Sequence, residues 1–292
     1  MNVFTIRDLE NLSGIKAHTI RVWEQRYNLL KPNRTDTNIR SYSNIELKTI
    51  LNVALLNRHG FKISQIDRMT EDEMMIKVLG LTDKTAKLER SVNELIGDMV
   101  DLDISSFEQR LDLYVLAHGI DKSIKELIFP FLDRIGILWQ TNHIQAAQEH
   151  LVSNIIRQKL IVGIEGAAPH RRSDRLLILF LPEGEFHELG LLYVQYLLRT
   201  HGAQTLYLGA NMPLKDVAYI CHAKSPDYLY THLTGVTGNF NFDRFFGQAR
   251  HLMPKVPLIV SGQLARTHLK KIPSDIDLKR SLPEVLEFVA KL

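Results

Sequence analysis

Beyond residue 174 the hydrophobic period of the chain changes. Short apolar β-type runs, RLLILFL, TLYLG, DYLYTHL and PLIVSG, alternate with helical stretches and close on EVLEFVAKL. Alternation of this kind predicts a doubly wound parallel α/β sheet of the Rossmann-like type. Ligands on such sheets sit outside the carboxyl ends of the strands. His187, Gly209, residues 231–234 and Ser261-Gly262 all fall there.

Upstream the pattern is helical from Lys84 to about Gly166, with helices expected near 84–100, 104–118, 121–138 and 142–163. Four helices of that length make a bundle. The segment GAAPHRRSD, small and charged, reads as a linker. The expected plan is a multidomain α and α/β protein, with divisions at 1–75, 84–166 and 174–292. With 292 residues, 45% of them hydrophobic, each part has material for a core. The one cysteine, Cys221, gives no disulfide framework or thiolate zinc site and is expected to pack as a small apolar side chain. A charged N-terminus without an apolar leader, and no run of membrane-spanning length, suggest a cytoplasmic protein with no membrane partner.

The net charge of +3 is uneven, because residues 1–70 hold eleven Lys or Arg against six Asp or Glu. A basic front suggests a polyanion partner, with a solvated basic face as the alternative. In TIRDLENLSGIKAHTIRVWEQRYNLL two short helical patterns flank Ser13-Gly14-Ile15, the spacing of a helix-turn-helix. KPNRTDTNIRSYS then suits a two-stranded wing turning near Asp36-Thr37-Asn38, and SNIELKTILNVALLNRHG a further helix begun by Ser43 or Asn44 and stopped by Gly60. On a helix-turn-helix the early residues of the second helix reach base edges, here Lys16, His18, Thr19 and Arg21. Arg34, Arg40 and Tyr42 on the wing are candidates for phosphate contacts. Trp23 and Tyr27, four apart, are expected to pack the helix on its scaffold.

TIRVWEQRYNLLKP followed by RTDTNIRSYS resembles the DNA-binding domain of the MerR family of transcriptional regulators, over about residues 3–70. Resemblance implies a winged helix-turn-helix and dimeric binding to double-stranded operator DNA. Ile39 departs from the polar residue common at that place. No long heptad helix follows residue 70, so self-association is expected from the bundle or the α/β domain, as a dimer or a tetramer.

The turn PEGEFHELG joins a predicted strand to a predicted helix. His187 sits at the strand's carboxyl end, Glu185 is placed to orient its ring, and Gly190 leaves room beside the helix start for a planar ligand. A solvated loop histidine is the alternative on these residues alone. Glu185-x-His187-x-x-Gly190, then Thr231-x-Leu233, then Ser261-Gly262, resembles the cobalamin-binding signature Asp-x-His-x-x-Gly, Ser-x-Leu, Gly-Gly. That resemblance implies that His187 ligates cobalt and that the base of the nucleotide tail leaves the metal for a cleft lined by the serine and glycine positions. Glu185, Thr231 and Ser261 each depart conservatively from the signature.

In the bundle, Trp139, nine residues, then Glu149-His150 resembles the Trp-x9-Glu-His motif of cobalamin-dependent MerR regulators of the CarH and LitR type. A core tryptophan beside an accidental Glu-His pair is the alternative. Light-responsive members carry a second histidine directly after the tryptophan; this chain has Gln140 there. Thr141-Asn142 is expected to break the helix, which sets His143 apart. His201, His232 and His268 are read as surface or loop residues.

The expectation is a DNA-binding regulator, repressing by resemblance, whose oligomeric state is controlled by cobalamin, most simply adenosylcobalamin. The rivals are a MerR-type regulator answering to another ligand or protein, and a corrinoid enzyme.

Overall fold

The computed structural model describes residues 3–34, 38–140, 144–169, 173–235, 240–267, 272–273 and 276–292. They form two compact units, Met1–Ile155 and Ile156–Leu292. No helix among the described residues is long and apolar enough to cross a membrane.

In the first unit Thr5 opens α1 (Ile6–Ser13) through a reciprocal box: its N–H donates to Asp8 Oδ2 at 2.6 Å while Asp8 N–H donates to its hydroxyl. Gly14, at φ +73°, ends that helix in the left-handed region and turns the chain into α2 (Ala17–Arg26), whose Ile20 and Trp23 are buried. The wing pairs β1 (Asn33–Arg34) antiparallel to β2 (Arg40–Ser41); of its expected turn, Asp36 and Thr37 lie outside the described residues. Ser43 opens α3 (Asn44–Arg58), donating from N–H and hydroxyl to Glu46, and Leu47, Ile50, Leu51, Ala54 and Leu55 are buried beneath it. Each such side chain contributes roughly 1.5–3 kcal/mol. α4 (Ile63–Ile66) follows, then α5 (Glu71–Leu79), capped by Thr70, which the sequence pattern did not separate.

The bundle consists of α6 (Lys84–Asp101), α7 (Ile104–His118), a continuous rod over residues 120–140, and α10 (Ala146–Glu165). The rod runs as α8 (Ile120–Ser123), a π-helical turn (Ile124–Ile128) and α9 (Phe129–Gln140). Pro130 has no N–H to offer the preceding turn, and Phe129 N–H reaches back to Ile124 O instead, which widens the helix there. Thr141, Asn142 and His143 lie outside the described residues; the helices end and resume on either side. Phe107 and Phe131 pack at a centroid distance of 5.4 Å at the bundle centre.

The DNA-binding module is fastened to this bundle within the same unit. Arg58 of α3 donates to Ser13 O at 2.9 Å and pairs with Glu89 of α6, and Arg134 of α9 lies 3.7 Å from Glu89 and donates to Asn93 Oδ1 at 2.6 Å. Lys48 and Asn44 hold Asp101. The Arg58 guanidinium thus ties the carbonyl at the helix-turn-helix turn to Glu89 of α6, and Glu89 passes the link to Arg134 of α9.

In the second unit, β3 (Leu176–Pro182), α11 (Leu189–Thr200), β4 (Gln204–Met212), α12 (Leu214–Lys224), β5 (Tyr228–His232), α13 (Phe242–Leu252), β6 (Leu258–Ser261), α14 (Gln263–Thr267), β7 (Asp277–Leu278) and α15 (Leu282–Ala290) follow in order. Among the described residues five strands form one parallel sheet, in the order β4-β3-β5-β6-β7. The doubly wound expectation is met. β7 is two residues long and escaped the sequence pattern. Ile178, Phe180, Leu229, Leu233 and Val260 pack one face against α12 and α13, where Cys221 is also buried.

Candidate functional site

The turn after β3 is built around a fully buried carboxylate. Glu185 Oε1 accepts the N–H groups of Phe186 and His187, both at 3.0 Å, and lies 2.6 Å from His187 Nδ1. Its Oε2 accepts Thr234 N–H at 2.7 Å and Gly235 N–H at 2.8 Å from the loop after β5. Burial pushes this carboxyl up. The hydrogen bonds from the His187 ring and from the backbone of His187, Gly235 and Thr234 outweigh it and hold the group below its ordinary value. The ionised Glu185 therefore accepts a hydrogen bond from the His187 Nδ1–H, which keeps the proton on Nδ1 and leaves the lone pair on Nε2, the form in which an imidazole ligates a metal. The ring remains about one-third exposed.

The neighbouring loops make room for that ring. A side chain on Gly235 would place its Cβ 2.9 Å from His187 Cε1. Asn211, at φ +55°, closes the turn from the β4 side: its N–H donates to Glu185 O and its Oδ1 accepts Gly184 N–H. Glu188, next to the histidine, accepts the Tyr207 hydroxyl at 2.9 Å and pairs with Arg157 at 3.0 Å. Burial and then the Glu188 charge push the Tyr207 hydroxyl up, so it stays a donor.

Gly190 lies in the first turn of α11, and the group facing it is the imidazole of His232, not Thr231. A Cβ on Gly190 would lie 2.5 Å from His232 Cδ2 and 2.8 Å from Cε1, closer than side chains approach. Strand alternation gives the reason. Tyr230 and His232 point to one face of β5, where the Tyr230 hydroxyl donates to Ser261 Oγ at 2.9 Å and Ser261 Oγ lies 2.8 Å from His232 Nδ1. Thr231 and Leu233 point to the other face, with Leu233 in the apolar cluster under α12 and α13. Thr231 is fully buried, and its hydroxyl has no hydrogen-bond partner among the described residues. Residue type marks the hydroxyl at 231 but does not tell its face; the hydroxyl bonded to the ring over Gly190 is that of Ser261. His232, read as a surface or loop residue, belongs to the strand, and burial lowers its pKa to about 4. Gly262, at φ +104°, admits no side chain, since a Cβ would meet the Leu233 backbone at 2.7 Å.

In the bundle, His150 is exposed and its Nδ1 lies 3.7 Å from Glu149 Oε2, while Ser153 donates to Glu149 Oε1. Trp139 and Gln140 end α9, and their side chains lie outside the described residues, as does His268.

On the helix-turn-helix, Lys16 is exposed just before α2 and pairs with Glu10 at 3.3 Å, His18 and Arg21 are exposed on α2, and Thr19 is half-buried beside the His18 ring. Val22, Gln25 and Arg26 continue the exposed face and were not singled out from the sequence. Two wing residues behave otherwise than expected. Tyr42 is core, bridging to Phe4, with its hydroxyl given to Glu24; burial and that carboxylate push its pKa up. Arg40 donates to Glu24 at 2.7 Å and is largely covered. Glu24, one turn before the end of α2, thus draws in both residues and leaves Arg34 exposed, donating to Asn38.

Comparison with known proteins agrees with this layout. Residues 4–73 match the family described as MerR HTH family regulatory protein, and residues 91–162 match a B12 binding domain. The chain is 28% identical over 272 residues to the HTH-type transcriptional repressor CarH of Myxococcus xanthus, covering 91% of this chain and 90% of that protein. It is equally 28% identical to the repressor CarA of the same organism, over 91% of this chain and 89% of CarA. A solved structure of a Methanosarcina barkeri monomethylamine corrinoid protein shares the fold at a TM-score of 0.55 and 15% identity, over 70% of this chain and 98% of that one. With a MerR helix-turn-helix followed by a B12-binding domain, and alignment to two such repressors along nine-tenths of its length, the chain matches a CarH-like regulator, which supports a DNA-binding transcription factor controlled by cobalamin.

Proposed function

We propose that the chain represses transcription as a homo-oligomer whose grip on a palindromic operator depends on adenosylcobalamin, with His187 as the protein ligand to cobalt. The observation that carries this reading is the five-donor shell around Glu185, which spends a buried carboxylate on fixing one tautomer of one partly exposed imidazole. A bound corrinoid would supply a cobalt with an exchangeable adenosyl ligand, and His187 Nε2 would be the nitrogen offered to it. Glu185 holds the His187 proton on Nδ1; Gly235 leaves the ring its space; Arg157 and Tyr207 fix Glu188 beside it. Trp139, Glu149 and His150 are proposed cofactor contacts by resemblance alone.

On the DNA side, α2 enters the major groove with Lys16, His18, Thr19 and Arg21, and Arg34 of the wing meets phosphate. Arg58 joins the bundle to the turn before α2, so a change in bundle packing reaches the reading helix through packed groups with few alternative positions. A cytoplasmic regulator without catalytic activity fits this reading better than a corrinoid enzyme.

The test is gel filtration of purified protein mixed in the dark with adenosylcobalamin, followed by an operator mobility shift. Colour co-eluting with a protein whose oligomeric state and operator affinity depend on the added corrinoid supports the proposal. A colourless peak with unaltered operator binding favours the other regulator, whose sensor domain answers to a different ligand or partner. The occupied position beside Gly190 is the observation on that side.

A further inference from the structure

Gly190 on α11, which the sequence reads as leaving room for a planar ligand, and Ser261 at the end of β6, at a glycine position of the base cleft that the resemblance implies, flank a ring that belongs to the protein. His232 lies over Gly190 so closely that three of its ring atoms fall within 3 Å of where a Cβ would be. Gly190 thus gives up its side chain to seat an imidazole. Ser261 stands where the signature has glycine, and its hydroxyl anchors that imidazole at 2.8 Å. Tyr230, donating to the same Ser261 oxygen at 2.9 Å, leaves the serine proton to point at His232 Nδ1. Phe288 of α15 packs beside Tyr230 at a centroid distance of 6.2 Å and backs the arrangement. The departure at 261 is thus matched to the side chain at 232, a position the signature leaves open: the added hydroxyl is the partner of that ring. A benzimidazole is an imidazole fused to a benzene ring, so the seated side chain and the tail's base compete for one flat, hydrogen-bonding place.

We infer that His232 acts as a built-in occupant of the base slot and a specificity-determining residue, so that this domain takes a corrinoid lacking the nucleotide base, of the cobinamide class, at least as well as the complete tail-bearing vitamin. The inference rests on the cofactor reading above. Binding of the complete cobalamin requires the tail to displace His232 from Ser261, at the loss of a buried hydrogen bond, which is worth about tenfold in affinity. Binding of cobinamide leaves His232 where it is and still offers cobalt to His187.

The experiment titrates full-length protein in the dark with adenosylcobalamin and, separately, adenosylcobinamide, for the native chain, His232→Ala and His232→Ser, reading bound corrinoid by absorbance after equilibrium dialysis. The expected result is native binding of cobinamide at least equal to that of cobalamin, with cobalamin binding tightened about tenfold by either substitution and cobinamide binding unchanged. In the native protein the imidazole NMR signals of His232 should move on addition of cobalamin and remain in place on addition of cobinamide. Native preference for cobalamin by tenfold or more overturns the inference. So does an unchanged preference in both variants. Failure to bind either corrinoid overturns the cofactor reading along with it, a pattern that no other outcome produces.

Discussion

Replacing Glu185 by Gln tests whether the histidine turn is held by charge. The carboxylate faces three donors through Oε1 and two through Oε2. An amide has one oxygen and one NH2, so whichever way it lies, at least two buried N–H groups lose their acceptor and meet another donor. Hydrogen bonds to a charged group are worth about 1.5–3 kcal/mol each, which puts the loss at about 3–6 kcal/mol. That is comparable to the low end of a domain's whole stability, about 5–15 kcal/mol. Hydrogen exchange read by mass spectrometry on peptides covering residues 183–190 and 230–235 should show the amides of His187, Thr234 and Gly235 losing protection ahead of the rest of the sheet. Glu185→Asp keeps the charge but shortens the reach by one methylene, and should recover only part of that protection. If Glu185→Gln leaves both peptides as protected as in the native chain, the carboxylate is not what holds the turn, and the reasoning about the His187 tautomer fails with it.

Other expectations follow from the same geometry. Glu185 has a folded pKa below its unfolded value, so its stabilisation is present above about pH 4.5 and lost as the pH falls through the lower folded value; the acid unfolding midpoint of Glu185→Gln should be displaced relative to the native chain. His232, with a folded pKa of about 4 against 6.5 unfolded, binds fewer protons folded than unfolded between those values, so stability should drop by roughly 2–3 kcal/mol from pH 6.5 to 4, and urea midpoints of His232→Ala should lack that component. Arg34→Ala should weaken operator binding several-fold and flatten its salt dependence by about one phosphate contact, whereas Tyr42→Phe should leave the salt slope alone and lower stability by about 1 kcal/mol, as fluorescence anisotropy and thermal melts would show. Arg58→Met should leave Glu89 with Arg134 alone and Ser13 O without its donor, and should destabilise the first unit by about 1–2 kcal/mol in urea titrations read by tryptophan fluorescence.

Much of this architecture was legible because its periods are strong. The four runs from RLLILFL to PLIVSG became β3, β4, β5 and β6, and the helices expected near 84–100 and 104–118 are α6 and α7 within a residue or so at each end. Gly14 and Ser43 marked a turn and a helix start by local chemistry that tertiary packing did not override. Less was legible where the outcome depends on which side of an element a residue occupies. Thr231 and His232 are neighbours in sequence on opposite faces of β5, and only the register of Tyr230 and Ser261 tells which of them meets Gly190. Arg40 and Tyr42 read as phosphate contacts by composition, but Glu24 lies sixteen and eighteen residues away and withdraws both. α5 was lost between two expected domains because its apolar residues are divided between buried Met74 and Val78 and exposed Met75, Ile76 and Leu79.

The most direct test of cobalt ligation is the absorption spectrum of adenosylcobalamin, recorded in the dark, with saturating native protein and with His187→Ala. The native protein should shift the spectrum to that of a corrinoid whose own base has left the metal and whose axial place is taken by imidazole. The variant should give the spectrum of the base-free corrinoid without nitrogen ligation. Two identical spectra would contradict the account at its centre, because His187 would then stand beside the cofactor without touching its metal.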